Sequence, residues 1–360
     1  MNGPAISRRQ PLLVTGGAGF IGANLADRLA REGQDVLVYD SLARPGVEEN
    51  LAWLRRQHPA RISAIIADIR DEDALAAAVA DADAVFHLAA QVAVTTSLTD
   101  PRDDFTTNLQ GSFNLLDAVR RAGARIPVLF ASTNKVYGNL ADIPLETMGE
   151  TYAPRDPAIR AHGVNETRPL DFHTPYGCSK GAAEQYVLDW ARSYGVPTAV
   201  FRMSCIYGPH QMGTEDQGWV AHFLIRALRG EPISIYGDGR QVRDILHVAD
   251  AVSAWLAAWR RIGKVAGCAF NLGGGPANAV SLRQVLGAIG EITGRPVERH
   301  FAEWRAGDQR WYVSDTRRVV RELDLRPAIP WRAGLAQLAA WLKEERGLGV
   351  AQPAGAEALP

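Results

Sequence analysis

The sequence predicts an α/β fold in which a doubly wound parallel sheet is followed by a smaller α/β lobe. In the first half of the 360-residue chain, short apolar runs alternate with segments of helical length. Near-continuous apolar strands separated by helices are typical of a parallel sheet that is covered on both faces. The second half has shorter and less regular segments. A chain of this length can form one large domain or two closely joined ones.

The predicted elements of the first half follow one another as strand and helix. The predicted strands are 11–15, 34–40, 61–68, 83–90, 126–133 and 197–208. The predicted helices are 20–32, 73–82, 108–124 and 173–195. Ligands bind at the carboxyl ends of the strands in such sheets, so we expect the smaller lobe to face that edge.

The expected organisation has three parts. Residues 10–208 form the domain with the parallel sheet, and its long polar connection at 139–175 covers the site. Residues 209–345 form the substrate lobe, whose helices and strands partly interleave with the first domain. The Pro/Ala-rich segment 346–360 is predicted to be a disordered tail.

The composition excludes several classes of function. A formal net charge of −1 argues against nucleic acid as the main partner. The sequence has no stretch of about 20 apolar residues, so no membrane span is predicted. Cys178, Cys205 and Cys268 lie far apart without a CxxC pattern. We therefore expect neither a disulfide framework nor a metal site, and a reducing cytoplasm fits best.

A glycine-rich turn lies between the first strand and the first helix, in "LLVTGGAGFIGANL". Gly17, Gly19 and Gly22 match GxGxxG, whereas Gly16, Gly19 and Gly22 match the related GxxGxxG. In either register the missing side chains allow a tight turn and close approach of a pyrophosphate to the helix N-terminus. This strand–turn–helix context predicts a Rossmann dinucleotide site.

Carboxylates at the ends of the next two strands complete the predicted cofactor site. Asp40 is placed to accept hydrogen bonds from the ribose hydroxyls, and its charge would repel the 2′-phosphate of NADP. NAD is therefore favoured as the cofactor, although Arg44 nearby is a group that accommodates such a phosphate. Asp68 is the expected partner of the adenine amine.

Tyr176 and Lys180 stand one helical turn apart and share a face. The chain has only four lysines, at positions 135, 180, 264 and 343. An unperturbed phenol has a pKa near ~10, and a nearby ammonium together with an oxidised nicotinamide favours the phenolate. Ser132 and Thr133 end an earlier strand, and a hydroxyl there can orient a substrate hydroxyl and relay its proton to Tyr176.

The segments "TGGAGFIG", "STNKVYG" and "YGCSK" resemble the extended short-chain dehydrogenase/reductase superfamily of nucleotide-sugar epimerases, dehydratases and decarboxylases. The resemblance covers about residues 10–345. It is closest to the CDP-paratose (CDP-tyvelose) 2-epimerases, through "HLAAQVAVTTS", "LDFHTPYGCSKGAAEQYVLDWAR", "DQGWV" and "QVRDILH". It implies a Rossmann NAD domain, a sugar-nucleotide lobe and the catalytic residues Thr133, Tyr176 and Lys180.

The resemblance also implies further contacts. The additional cofactor contacts are expected at Phe20, Ile21, Ser41, Ile69, Leu88, Ala89, Gln91, Asn108, Ser132, Tyr176 and Lys180. Arg243 and Arg305 match the superfamily's diphosphate-binding arginines, with Arg310 assisting. Gln91, Asn134 and Gln217 are candidate sugar contacts beside Thr133. Relatives pair through two helices of the Rossmann half, which suggests a homodimer or homotetramer.

The residues after Thr133 separate the possible reactions. Dehydratases of the superfamily carry an Asp-Glu pair there, because eliminating water needs an acid and a base; this chain has Asn134 and Lys135. We therefore expect an epimerase, and the resemblance implies that it inverts C2 of a CDP-activated hexose. Tyr176 deprotonates the C2 hydroxyl, NAD takes the hydride, and the rotated 2-keto sugar takes it back on its other face.

Two alternatives stay open. One is a UDP- or GDP-sugar 4-epimerase or reductase, although Cys205 stands where 4-epimerases carry an Asn. The other is a non-catalytic, NAD-sensing binding protein, which would have no need of all three catalytic residues.

Overall fold

The central feature of the computed structural model is a parallel sheet flanked by helices. The model describes residues 10–123, 125–305 and 307–348. In these ranges the strands are β1 (Leu12–Thr15), β2 (Val36–Asp40), β3 (Ile62–Ile66), β4 (Ala84–His87), β5 (Val128–Thr133), β6 (Leu145–Met148), β7 (Thr151–Pro154), β8 (Thr198–Met203), β9 (Cys205–Tyr207), β10 (Ile233–Tyr236), β11 (Val242–His247), β12 (Cys268–Leu272), β13 (Ala279–Ser281), β14 (Arg299–Ala302) and β15 (Trp311–Tyr312).

The α-helices of the same ranges lie mostly between these strands. They are α1 (Phe20–Arg31), α2 (Val47–Gln57), α3 (Glu72–Ala80), α4 (Val94–Thr99), α5 (Pro101–Phe105), α6 (Gly111–Arg121), α7 (Pro157–His162), α8 (Thr174–Tyr194), α9 (Trp219–Arg229), α10 (Val248–Arg260), α11 (Ile262–Val265), α12 (Leu282–Thr293), α13 (Arg317–Leu323) and α14 (Trp331–Arg346). A π-helical segment, Thr106–Gln110, precedes α6, and a 3₁₀ turn, Asn134–Tyr137, follows β5.

Seven parallel strands form the main sheet in the order β12-β8-β5-β4-β1-β2-β3. The chain reverses direction across the sheet between β1 and β4, and ligands bind at such a point in doubly wound folds. Helices α1, α2 and α10 pack on one face, and α3, α6 and α8 pack on the other. The predicted doubly wound Rossmann sheet is confirmed.

Strand β12 reaches the main sheet from the second half of the chain and pairs with β8. Helix α10, also from the second half, buries Trp255 between Phe86 of β4 and Phe201 of β8, with ring centroids 6.3 and 5.0 Å away. The two halves of the sequence therefore share one core.

The prediction of a single strand at 197–208 is wrong. The structure has two strands there, β8 and β9, which are separated at Ser204. There the Ser204 amide donates to the Leu272 carbonyl oxygen at 2.9 Å, and its hydroxyl donates to Asp244. Beyond this point β9 leaves the main sheet and pairs with β11 of the smaller lobe. The residues of both strands are mostly apolar. The sequence pattern therefore does not indicate that β9 belongs to a different sheet from β8.

The polar connection at 139–175 contains regular structure that the sequence analysis did not predict. Strands β6 and β7 form an antiparallel hairpin, and α7 follows with Asp156 as its N-cap. The Tyr152 amide donates to the Arg240 carbonyl oxygen, and the Val164 amide donates to that of Val313. These bonds attach the connection to the smaller lobe.

Two further observations concern the described ranges. None of their helices is both long and apolar enough to cross a bilayer. The last helix ends at Arg346, the first residue of the predicted disordered tail; the part of that tail from 349 onward lies outside the described residues.

Candidate active site

The glycine turn between β1 and α1 has no space for side chains. Gly16 has a φ of +68°, and a Cβ there would lie 2.7 Å from the Ala89 nitrogen. A Cβ on Gly22 would lie 2.1 Å from the Gly16 carbonyl oxygen, which also accepts a hydrogen bond from the Gly19 amide at 3.0 Å. Gly16, Gly19 and Gly22 thus form one packed unit, which favours the GxxGxxG register.

Asp40 is held at the end of β2 by two backbone amides. Its Oδ2 accepts from the Ala18 amide at 3.0 Å and its Oδ1 accepts from the Leu42 amide at 2.9 Å. The carboxylate therefore also fixes the glycine turn. Ser41 and Arg44 follow it on the surface.

Asp68 forms a salt bridge with Arg70 after β3, at 2.6 Å. This hydrogen bonding lowers the pKa of the Asp68 carboxyl group. Ile69 is buried against Gly111 of α6, where a Cβ would lie 2.6 Å from its side chain. The predicted adenine contact at Asp68 thus has a competing partner, and the Ile69 side chain belongs to the core.

The remaining predicted cofactor residues stand at the carboxyl edge of the sheet. Those that are partly exposed are Gly16, Gly19, Phe20, Ile21, Leu88, Ala89 and Gln91, whereas Asn108 and Ser132 are buried. A hydrogen-bond network organises the last part of this edge. Asn108 Nδ2 donates to the Gln91 carbonyl oxygen at 3.0 Å, and its Oδ1 accepts from the Gln91 amide at 2.9 Å.

A buried carboxylate, Asp104, joins this network from α5. Its Oδ1 accepts from Gln91 Nε2 and from Asn108 Nδ2, each at 3.1 Å. Asn108 Nδ2 also lies 3.1 Å from the Ser179 hydroxyl on α8. Burial raises the pKa of Asp104, which Ser179 and Lys180 oppose. The network thus connects the π-helical segment to the helix that carries the predicted catalytic pair.

Thr133 ends β5, and Tyr176 and Lys180 lie one turn apart near the start of α8, which packs against β5. Burial raises the pKa of Tyr176 to about 12, and a hydrogen-bonding interaction with the Thr133 side chain lowers it. Lys180 is 2% exposed, and its ammonium group lies 4.2 Å from the centre of the Phe130 ring. Burial lowers the pKa of Lys180 to about 7, although Asp104 and Glu184 raise it.

The raised pKa of Tyr176 is opposite to the lowered pKa that the sequence analysis expected for this phenol. Desolvation disfavours the charged form of each group, so in the protein alone it favours a neutral phenol and a neutral amine. A lowered Tyr176 pKa therefore requires positive charge in addition to that of the protein.

Glu184 lies one turn beyond Lys180 and is fully buried. Its Oε2 accepts from the Ser132 hydroxyl at 2.6 Å, and its Oε1 pairs with Arg202 of β8 at 2.6 Å. Arg202 Nη1 in turn donates to the Tyr137 hydroxyl at 2.9 Å. Because a buried charge is costly unless it is paired, this arrangement strongly favours one position of α8 over the sheet.

The substrate-side residues extend from the 3₁₀ turn into the smaller lobe. Asn134 Nδ2 donates to Gln309 Oε1 at 3.0 Å, so its side chain spans the two parts. Arg243 on β11 is buried, and its Nη2 lies 2.6 Å from Asp308 Oδ1. Lys135 Nζ donates to the Gly307 carbonyl oxygen at 3.2 Å and lies 3.9 Å from the same Asp308 oxygen.

The other predicted substrate residues lie further out. Arg305 stacks its guanidinium 3.8 Å from the Tyr236 ring centre and donates to the Glu215 carbonyl oxygen at 3.1 Å. Arg310 is exposed, 5.2 Å from the Trp304 ring centre. The Gln217 backbone closes a turn with Thr214.

The geometry fits a bound dinucleotide. The turn residues Gly16 and Gly19 are partly exposed, and the N-terminus of α1 opens beside them with its unpaired amide groups. Among the described residues, no group of three or more His, Cys, Asp or Glu side chains is arranged to hold a metal ion.

Comparison with known proteins identifies the family of the chain. Residues 12–273 match the family described as the NAD dependent epimerase/dehydratase family. The chain belongs to this family.

Individual members are similar over nearly the whole chain. The CDP-paratose 2-epimerase of Salmonella typhi is 38% identical over 92% of this chain and 98% of its own length. The dTDP-glucose 4,6-dehydratase of Mycolicibacterium smegmatis is 33% identical over 92% of this chain and 93% of its own. The UDP-glucose 4-epimerase of Thermus thermophilus, solved with NAD, superposes with a TM-score of 0.77 at 31% identity, over 92% of this chain and 99% of that one.

As a member of the epimerase/dehydratase family, the chain is an NAD-dependent epimerase with NAD as its cofactor. The predicted resemblance, enzyme class and cofactor are confirmed. The residues that would hold NAD are those of the glycine turn and the strand ends described above.

Sequence reasoning missed several polar residues that support the site. Glu184 continues the spacing of Tyr176 and Lys180 by one more turn, and Asp104 precedes Asn108 by four residues, so helical periodicity offered a signal for both. Arg202, Asp308 and Gln309 gave no such signal, because their partners are distant in sequence.

Proposed function

We propose that this enzyme inverts C2 of a CDP-activated hexose, either CDP-paratose to CDP-tyvelose or CDP-glucose to CDP-mannose. The observation that carries the proposal is the 38% identity to a CDP-paratose 2-epimerase over 98% of that protein's length. The glycine turn, the catalytic residues and the buried Arg243 supply the groups that such a reaction needs.

The residues after Thr133 support epimerisation over dehydration. Elimination of water needs a carboxylic acid and a carboxylate beside the reacting carbons. At this point the chain offers an amide, Asn134, which is bonded to Gln309, and an amine, Lys135, which is bonded to Gly307. Neither side chain can act as a carboxylic acid.

In the proposed mechanism Tyr176 takes the proton of the C2 hydroxyl while Thr133 orients that hydroxyl. When bound, NAD would supply the chemistry that removes a hydride from C2 and returns it. When the hydride returns to the opposite face, Tyr176 gives the proton back to the same oxygen. Arg243 and Arg305 hold the diphosphate, so the sugar can turn while the nucleotide stays in place.

The electrostatics of the pair explain why the proton transfer is coupled to the cofactor. Burial raises the pKa of Tyr176 to about 12, so the protein alone keeps the phenol protonated at neutral pH. The positive charge of an oxidised nicotinamide would favour the phenolate, and Lys180 would add to this effect in the fraction of molecules in which its amine is protonated. Tyr176 is thus proposed to become a base only when oxidised cofactor is present.

The deciding experiment follows the hydrogen at C2. The purified protein is incubated in D₂O, without added cofactor, with CDP-glucose and separately with CDP-paratose, and the products are identified by NMR. The proposal predicts C2 epimers that retain the original C2 hydrogen. Incorporation of solvent deuterium at C2 would instead indicate a proton-abstraction mechanism and would contradict it.

The same experiment separates the alternatives. UDP-glucose and GDP-mannose serve as parallel substrates, and turnover confined to C4 of UDP-glucose would favour a 4-epimerase. A protein that converts none of them, but binds a partner protein according to the NAD/NADH ratio, would favour the sensor.

The homodimer or homotetramer implied by the superfamily is proposed to use α6 and α8. These helices expose Phe113, Tyr186 and Tyr194, which surround the largely buried Trp190. Light scattering of the wild type and of a Phe113→Glu variant tests this association.

A further inference from the structure

Lys135 stands two residues after Thr133, and neither the catalytic residues nor the predicted contacts use it. Its side chain is 20% exposed and lies beside the substrate lobe, where it donates to the Gly307 carbonyl oxygen at 3.2 Å. An ammonium group has three donors, so this bond leaves two of them for other partners.

Lys135 and Arg243 share a single carboxylate. Asp308 Oδ1 lies 2.6 Å from Arg243 Nη2 and 3.9 Å from Lys135 Nζ. The three groups carry a formal charge of +1, and Arg243 is 8% exposed. Burying a cation costs free energy unless an anion pairs with it. Two cations share one carboxylate here, so binding of one more anion would neutralise the cluster.

The unfavourable burial of this positive charge lowers the pKa of Lys135. Burial lowers the pKa of Lys135 to about 8; Asp308 raises it, and the neighbouring Arg243 lowers it. Lys135 therefore remains largely protonated at neutral pH and would gain from a further anion.

We propose that Lys135 and Arg243 together bind the diphosphate of the nucleotide sugar, with Asp308 as the resident counter-ion between them. The inference rests on the proposed nucleotide-sugar substrate and adds to it a contact from the 3₁₀ turn that directly follows Thr133. A lysine suits this position because its compact ammonium group can reach a phosphate oxygen beside the planar guanidinium of Arg243. The catalytic segment and the diphosphate would then be held by adjacent residues.

The test measures binding of inorganic diphosphate by calorimetry, with saturating NAD present, so that it does not depend on the base or the sugar. Lys135→Met is expected to weaken this affinity roughly 10- to 100-fold, the loss typical of a charged hydrogen bond. Lys264→Met, which removes an exposed lysine, is the matched control and is expected to match the wild type. Cytidine, which lacks phosphate, is expected to bind both variants equally.

Asp308→Asn provides an independent test, because it is expected to change the affinity for diphosphate in the direction opposite to Lys135→Met. Removing the counter-ion is expected to tighten diphosphate binding several-fold, because the two cations then lack a competing carboxylate. The proposal is overturned if the wild type does not bind diphosphate, or if Lys135→Met binds it within twofold of Lys264→Met. If Lys135→Met does not fold, Asp308→Asn decides, and unchanged affinity there overturns the proposal. A failure to epimerise C2 would refute the proposed function alone.

Discussion

The Ser132 hydroxyl donates to Glu184 Oε2 at 2.6 Å, which joins the end of the central strand β5 to the helix that carries Tyr176 and Lys180. Thr133 is the next residue along the strand, so this bond positions the hydroxyl and the phenol relative to one another. Glu184 also carries the charge that neutralises the buried Arg202.

Glu184→Gln is expected to destabilise the protein by about 3 kcal/mol, because it leaves the Arg202 guanidinium buried without a carboxylate. Urea unfolding measures this change. The control is Asp189→Asn, on the same helix, where the side chain is 44% exposed. It should lower the free energy of unfolding by less than about 0.5 kcal/mol. Equal stabilities for the two variants would show that the buried pair contributes little.

Tyr176→Phe is expected to retain NAD and to lose turnover by roughly 10²- to 10⁴-fold, because it removes only the proposed proton acceptor. Ser193→Ala changes an exposed residue of the same helix and should leave turnover unchanged. Bound nucleotide is measured by chromatography after denaturation, and turnover by NMR. Normal turnover in Tyr176→Phe would exclude the phenol as the base.

The lowered pKa of Lys180, about 7 in the folded protein against 10.5 as its ordinary value, predicts a pH-dependent stability. Between these two values the unfolded chain binds more protons than the folded one, so this group makes the protein more stable as the pH rises. Relative to that of Lys180→Met, the free energy of unfolding of the wild type should increase by up to about 1.4 kcal/mol per pH unit between pH 7 and 10.

Urea unfolding at pH 7.5, 8.5 and 9.5 tests this slope. Lys264→Met, at an exposed site, should follow the wild type in parallel. Parallel curves for Lys180→Met as well would mean that Lys180 stays charged in the folded protein.

Gly22→Ala is expected to lose NAD and about 1–3 kcal/mol of stability, because its Cβ would lie 2.1 Å from the Gly16 carbonyl oxygen. Gly287→Ala is the contrasting control: it lies within α12 with no atom within 4 Å of the added Cβ. It should stabilise the protein by about 0.5–1 kcal/mol, as alanine does in helices. Thermal melting with and without NAD measures both, and a similar response of the two variants would contradict this view of the turn.

Asp40→Ala is expected to weaken NAD retention and to reduce the discrimination against NADP. The change removes both the proposed ribose acceptor and the bond from the Ala18 amide. Asp35→Asn, at an exposed position just before the same strand, is the control. Unchanged NAD affinity in Asp40→Ala would remove this carboxylate from the cofactor site.

Much of the main sheet follows from local patterns. The apolar runs that predicted strands at 11–15 and 126–133 coincide with β1 and β5 to within two residues, because both strands are buried on their two faces. The glycine spacing and the Tyr176–Lys180 spacing are equally local.

What could not be predicted depends on pairing over long distances. The transfer of β9 to the smaller lobe is set by Ser204 bonding to Leu272 and Asp244, which are at least 40 residues away. The shared carboxylate of Asp308 and the pairing of Asn134 with Gln309 likewise arise only when the lobes meet. The pKa values of Tyr176 and Lys180 depend on burial, which a spacing does not reveal.

The pairing of β12 with β8 has a consequence for how the chain can be divided. A fragment that stopped at residue 208 would present β8 as a bare sheet edge, with open amide and carbonyl groups and without the covering Trp255 and Phe270. Such edges recruit other strands, so the fragment should aggregate instead of forming a stand-alone nucleotide-binding module.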